Sequence, residues 1–139
     1  MDTYLTLTAE RQRLLCEQAE ARTGLIPASI EKDFWVCWTL RELFSLPVWG
    51  VQLTFKGGTS LSKCWKLIER FSEDIDVVID RRFLGFDAGK LSNKQLNKLR
   101  ETCSLRIETE LKPLLEEHIG KRIPAVETWS LEMAETDPD

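Results

Sequence analysis

The chain has 139 residues, 42% hydrophobic and 30% charged, and its 19 lysines and arginines against 23 aspartates and glutamates leave a formal charge of −4. That is the composition of an ordinary globular protein, long enough for one domain that buries about two-thirds of the surface of its unfolded chain. The acidic balance removes any whole-chain argument for nonspecific nucleic-acid binding, and no apolar run approaches the roughly 18 residues of a membrane span.

The amino terminus, Met1-Asp2-Thr3-Tyr4, lacks the basic-then-apolar pattern of a signal peptide, so a cytoplasmic protein with no membrane contact is expected. A first helix is predicted over Thr8 to Arg22, capped by Thr8 and ended by Thr23-Gly24. A second should run from Pro27 to Phe44. Proline suits its first turn, because the missing N–H would be unpaired there in any case, and Leu46-Pro47 breaks it. Val51, Leu53 and Phe55 alternate with Gln52 and Thr54 and mark a strand. A helix over Thr59 to Arg70 follows the Gly57-Gly58 pair, and Ile75, Val77 and Ile79 predict a second strand. Arg81 to Lys90 reads as a loop. Leu96, Leu99, Cys103, Ile107, Leu111 and Leu114 recur at helical spacing and predict a long helix from near Ser92 to before Gly120, kinked or restarted at Pro113. Trp129, Leu131 and Met133 alternate with polar or small residues and suggest a third strand.

Cys16, Cys37, Cys64 and Cys103 are isolated from one another and from His118, and no C-x-x-C pair occurs. They read as reduced thiols, most of them on apolar helix stripes, rather than as a zinc site.

Two stretches carry chemistry. In Lys56-Gly57-Gly58-Thr59-Ser60 a strand meets a helix through two glycines. Glycine lets a phosphate approach the backbone and allows positive φ. The first N–H groups of the helix are unpaired and favour an anion. Thr59 and Ser60 add hydroxyl donors, and Lys63 lies one turn into the helix. Lys56, Gly57, Gly58, Thr59, Ser60 and Lys63 are therefore the candidate nucleotide-binding residues. A plain strand-to-helix turn capped by Thr59 or Ser60 would use the same residues. The stretch is neither G-x-x-x-x-G-K-[ST] nor G-x-G-x-x-G.

Asp74 and Asp76 are the candidate catalytic and metal-binding residues. On a strand, residues two apart share a face and lie about 6.6 to 7 Å apart along the backbone, so both carboxylates have reach to one hard cation. Magnesium prefers one or two carboxylates together with water and phosphate oxygens. A solvated strand edge would look alike for this pair alone. Asp80 continues the alternation but begins a loop, and Glu73 points to the other face.

Lys56-Gly57-Gly58-Thr59-Ser60-Leu61 followed by Arg70-Phe71-Ser72-Glu73-Asp74-Ile75-Asp76 resembles the nucleotidyltransferase signature of the AbiEii/AbiGii toxin family, within the DNA-polymerase-β-like superfamily. Upstream, Glu31-Lys32-Asp33-Phe34-Trp35-Val36 also resembles a segment of these proteins. The resemblance implies an α/β (α+β) fold, a small mixed β-sheet flanked by helices. It implies magnesium-dependent transfer of a nucleotidyl group from a nucleoside triphosphate to an acceptor such as tRNA or other RNA. It further implies a bacterial toxin of a toxin–antitoxin or phage-abortive system, with a cognate antitoxin. By the same resemblance Gly57, Gly58, Thr59 and Ser60 would cradle the triphosphate, and Asp74 and Asp76 would hold the metal.

The resemblance weakens towards the carboxyl end, where such proteins carry a further acidic residue, a lysine near the triphosphate and a helical region. Residues 1–139 are thus expected to form a single nucleotidyltransferase-like domain lacking the family's carboxyl-terminal half. Glu132, on the polar face of the third predicted strand, is the candidate for a further carboxylate. Two other readings follow. The chain is a catalytically incomplete piece that binds nucleotide or a partner chain, or an interaction module in which some of the five tryptophans line a surface for missing residues, where ordinary core packing would use the same side chains.

Overall fold

Capping chemistry sets the helical elements in the computed structural model, which describes residues 1–57, 74–125 and 128–134. The chain divides into two compact units, Met1–Asp80 and Arg81–Asp139.

In the first unit, the short helix α1 (Asp2–Leu5) precedes α2 (Ala9–Thr23). The Thr8 hydroxyl accepts from the Arg11 N–H at 3.4 Å, and Gly24 closes α2 at φ 72° with its N–H on the Glu20 carbonyl at 2.8 Å. Helix α3 (Pro27–Phe44) begins at its proline, as expected. Helix α2 packs on α3. Beside that seam runs an aromatic row: Tyr4 to Phe34 at 4.2 Å between ring centroids, Phe34 to Trp35 at 5.3 Å, Trp35 to Trp38 at 5.7 Å. Leu5, Cys16, Val36, Trp38, Leu43, Leu46, Trp49 and Leu53 form the buried core of this unit.

A carboxylate lies within that core. Glu42 is only 1% exposed, and the Arg41 Nε and Nη2 donate to its Oε1 at 2.8 and 2.7 Å. Arg41 also donates to Asp2, which ties α1 to α3. The Asp2 hydrogen bond raises the Arg41 pKa most, with partial burial opposing it and Glu42 adding to it. Burying Glu42 without such a partner would cost several kcal/mol, on the order of 3 to 5.

After α3 the chain turns twice in a few residues. The Trp49 N–H donates to the Pro47 carbonyl at 2.7 Å across Val48, whose φ is 66°. This is the positive-φ γ-turn, the rarer and more strained hand, and its β-branched side chain is exposed. Gly50 then passes so close to α3 that a Cβ there would sit 2.2 Å from the Phe44 carbonyl oxygen, so no other residue fits. Val51, expected in the strand, instead lies in a 3₁₀ turn over Gly50–Gln52 and is 84% exposed. The close pass at Gly50 delays the strand.

Strand β1 (Leu53–Lys56) pairs antiparallel with β2 (Asp76–Ile79), with partners Leu53 and Ile79, Thr54 and Val78, Phe55 and Val77, Lys56 and Asp76. One more bond, from the Asp80 N–H to the Gln52 carbonyl at 2.8 Å, extends the pairing. The helix predicted over Thr59 to Arg70 lies outside the described residues.

In the second unit, residues 81–92 carry no regular element and lead to α4 (Asn93–Arg106). Ser92 and Gln95 form a reciprocal capping box, with the Ser92 N–H donating to the Gln95 Oε1 at 2.9 Å and the Gln95 N–H to the Ser92 hydroxyl at 3.4 Å. A π-helical turn (Ile107–Leu111) interrupts the long helix before α5 (Lys112–Gly120). The cause is Pro113. It has no N–H for the Thr109 carbonyl, and a widened turn absorbs the defect. Leu84, Leu111, Leu115 and Ile119 are buried here. Arg106 fastens the preceding loop: its guanidinium lies 4.2 Å from the Phe83 ring centroid, donates to the Phe83 carbonyl at 2.7 Å, and grips Glu110 at 2.9 and 2.7 Å.

The third predicted strand is not formed. Residues 128–134 carry no strand, and Trp129 and Met133 stand exposed. Alternation supplies one half-apolar face but no ladder partner. Trp129 instead lays its ring against the end of α5, where a Cβ on Gly120 would meet its Cζ2 at 3.6 Å.

The described elements thus form a mixed α/β chain with a small antiparallel sheet, the expected fold class. Cys16 is buried, while Cys37 and Cys103 are half-buried, and burial pushes the Cys103 thiol pKa up. Cys64 lies outside the described residues. No helix among them is long and apolar enough to cross a membrane.

Candidate functional site

The antiparallel register determines which residues meet. It sets the carboxyl end of β1 beside the amino end of β2, so Lys56 and Gly57 face Asp76 across the strand pair. Had the strands run parallel, Gly57 would lie beside the Ile79 end.

Burial alternates along both strands. Leu53 is buried, and Phe55, Val77 and Ile79 are half-buried, while Thr54, Lys56, Asp76 and Val78 are exposed. Lys56 and Asp76 therefore share the open face, directly opposite one another. Neither makes an ion pair among the described residues.

Gly57 has φ 76°, in the region that favours glycine. A Cβ built there would lie 1.9 Å from Asp76 Oδ2, 2.8 Å from its Cγ and 3.0 Å from its Cβ. The carboxylate thus occupies the space that any other residue at position 57 would fill.

Asp74 is exposed and precedes β2, where a place on the strand was expected. The reason is the register: the partner of Asp76 is Lys56, the last residue of β1, so the ladder stops before it reaches Asp74. Asp74 remains two residues from Asp76, on the same alternation of exposure. Asp80 lies four residues beyond Asp76, about 13 Å along an extended chain, too far to join the pair.

Gly58, Thr59, Ser60 and Lys63 lie outside the described residues, as do Arg70, Ser72 and Glu73. Of the predicted site, the structure brings together Lys56, Gly57 and Asp76, with Asp74 adjacent. Glu132 lies in the segment without regular structure. Among the described residues no three His, Cys, Asp or Glu side chains come together to hold a metal. Two carboxylates are the hard oxygen donors that magnesium takes alongside water and phosphate oxygens, so Asp74 and Asp76 fit that ion by donor type and number.

One feature of the neighbourhood escaped the sequence reading. Lys32, Trp35, Val36 and Thr39 of α3, together with Ile75, line a recess of about 300 Å³. Ile75 stands between the two aspartates in the chain, so this recess adjoins the strand end that carries them. Its sequence signal was the Glu31–Val36 segment, whose lysine and tryptophan sit one helical turn apart on a single face.

A protein-family model described as "Nucleotidyl transferase AbiEii toxin, Type IV TA system" matches residues 38–137. The matched stretch contains both β-strands, Gly57, Asp74 and Asp76. No curated protein and no solved structure gives a significant match to the chain.

Proposed function

We propose that the chain, which belongs to the AbiEii family of nucleotidyl transferase toxins of type IV toxin–antitoxin systems, acts as a magnesium-dependent nucleotidyltransferase that moves a nucleoside monophosphate from a nucleoside triphosphate to an RNA acceptor. In a cell it would act in the cytoplasm as a toxin restrained by a cognate antitoxin, in a phage-abortive role.

One observation carries the reading: the register that seats Asp76 against Gly57 and opposite Lys56. A phosphate-binding turn and a metal-binding carboxylate have to lie side by side if one triphosphate is to touch both.

Each residue has a distinct task. Asp74 and Asp76 hold the magnesium ion. When bound, that ion supplies a Lewis acid at the phosphate oxygens and lowers the pKa of an attacking hydroxyl. Gly57 and Gly58 let the triphosphate come close to the backbone, and Thr59 and Ser60 donate to it. Lys56, on the open face, and Lys63 offset its negative charge. In the transfer, an acceptor hydroxyl oxygen bonds to the α-phosphorus as the bond to the β-phosphate oxygen breaks. Pyrophosphate leaves and the hydroxyl proton passes to solvent.

The test is incorporation of label from each of the four α-labelled nucleoside triphosphates into total RNA with magnesium, against Asp74→Asn/Asp76→Asn. Label that appears in RNA only with the unmodified chain supports the transferase. Magnesium-dependent triphosphate binding without label in RNA would replace it with a binding role for these residues.

A further inference from the structure

We propose that Gly57 is a positioning residue for the Asp76 carboxylate: its missing side chain is the seat into which that carboxylate folds. This rests on the metal-holding role given to Asp76 above. A glycine at this turn is ordinarily explained by positive φ and by the approach of a phosphate. Both explanations concern the backbone of residue 57 alone. The structure adds a third requirement that belongs to another strand.

The distances separate these requirements. At φ 76° an L-residue is strained wherever its side chain points. Independently, the Cβ position is already taken, by Asp76 Oδ2 at 1.9 Å, Cγ at 2.8 Å and Cβ at 3.0 Å. Oδ2 and Cγ are the end of the side chain, so relief takes a new Asp76 rotamer that removes the carboxylate from its seat, and the Cβ contact at 3.0 Å adds a shift of a few tenths of an ångström. Lys56 and Asp76 are the terminal ladder pair, so that shift falls on the pair that aligns the two halves of the site. The phosphate-binding turn and the metal-binding carboxylate are therefore coupled by steric contact, and position 57 cannot change without moving residue 76.

Two measurements on the full chain test this. The first is a double-mutant cycle in thermal midpoint over Gly57→Ala and Asp76→Ala. The strain from φ is present in both backgrounds, whereas the collision exists only with Asp76. We expect Gly57→Ala to lower the midpoint clearly less when residue 76 is alanine. Equal losses in both backgrounds overturn the seat. If Gly57→Ala does not fold, a folded double variant supports the seat and an unfolded one overturns it.

The second is binding of Mn²⁺, followed by the electron-paramagnetic-resonance signal of the free ion without nucleotide, to wild type, Gly57→Ala and Gly57→Asn. Asparagine tolerates positive φ but collides with Asp76 as alanine does. Both variants are expected to weaken Mn²⁺ by about 10- to 100-fold, the usual cost of disturbing groups that orient a metal ligand. Near-wild-type binding by Gly57→Asn would show that only φ matters and would overturn the positioning role. Wild type that binds no Mn²⁺ would sink the metal reading instead, and the cycle would still decide the seat.

Discussion

From the end of α4 through the π-helical turn to the residue after α5, Glu110, Glu116 and Glu117 each meet a base four residues away: Arg106 at 2.7 Å, Lys112 at 2.9 Å, and Lys121. At the β1–β2 end, Lys56 and Asp76 stand directly across from one another on an open face and form no ion pair among the described residues. Helical spacing matches charges locally and at little cost, and solvent screens most of the gain from an exposed pair. At the strand end the Asp76 carboxylate lies in the space that a side chain at Gly57 would fill. Paired acids support structure, whereas an acid held out of pairing beside a glycine turn is the kind a ligand completes.

If that contrast is right, substitutions at the two places should fail in opposite ways. The largest effect is expected at Asp76. Asp76→Asn should cut nucleotidyl transfer by more than about 100-fold, beyond the usual loss from disturbing a ligand's neighbours, with an unchanged urea midpoint. Retained transfer would remove Asp76 from the site.

Arg106→Ala should do the reverse. It loses the ring contact with Phe83, the bond to the Phe83 carbonyl and the grip on Glu110. A loss of about 2 kcal/mol in unfolding free energy is expected, with transfer per folded molecule intact. A large drop in transfer by folded protein would break the division.

Lys56→Gln comes next. It should raise the KM for the triphosphate about tenfold, roughly 1.4 kcal/mol, and leave Mn²⁺ affinity unaltered. Weaker Mn²⁺ binding would show that Lys56 acts through Asp76 rather than on phosphate.

The smallest effect is the acid limb of stability. The Arg106 hydrogen bond lowers the Glu110 pKa below the usual carboxylate value, as Lys121 does for Glu117. A folded pKa below the unfolded one stabilises above the unfolded value, about 4.3, and that stability is lost as pH falls through the folded one. Glu110→Gln should therefore slightly flatten the fall in urea midpoint below about pH 4. An unchanged slope would mean that the pair is silent in solution, as many exposed pairs are.

The elements that could be read from sequence were those with local causes. Thr8 and Gly24 bound α2 to within a residue, Pro27 starts α3, and Pro113 breaks the last helix. Each effect acts within one turn of backbone. The misread stretches depended on contacts beyond one turn of backbone. Val51 has strand character, but the close pass of Gly50 over Phe44 keeps it in a 3₁₀ turn. Trp129 to Met133 alternates as a strand does, yet a strand requires a partner edge, and Trp129 packs on the end of α5 instead. Glu42 gave no sign of burial, because its partner Arg41 is next to it in sequence while the core that covers it is built from several elements.

By itself, the sequence supplied the residue types of the candidate site. Two glycines at a strand end and two aspartates two apart specify backbone freedom, oxygen donors and a shared face, properties carried by residue type and by the two-residue period of a strand. Only the tertiary structure decided that these features belong to one another. Antiparallel pairing with Lys56 opposite Asp76 sets the glycine against the carboxylate, and a register is a relation between two strands that neither strand's own pattern contains.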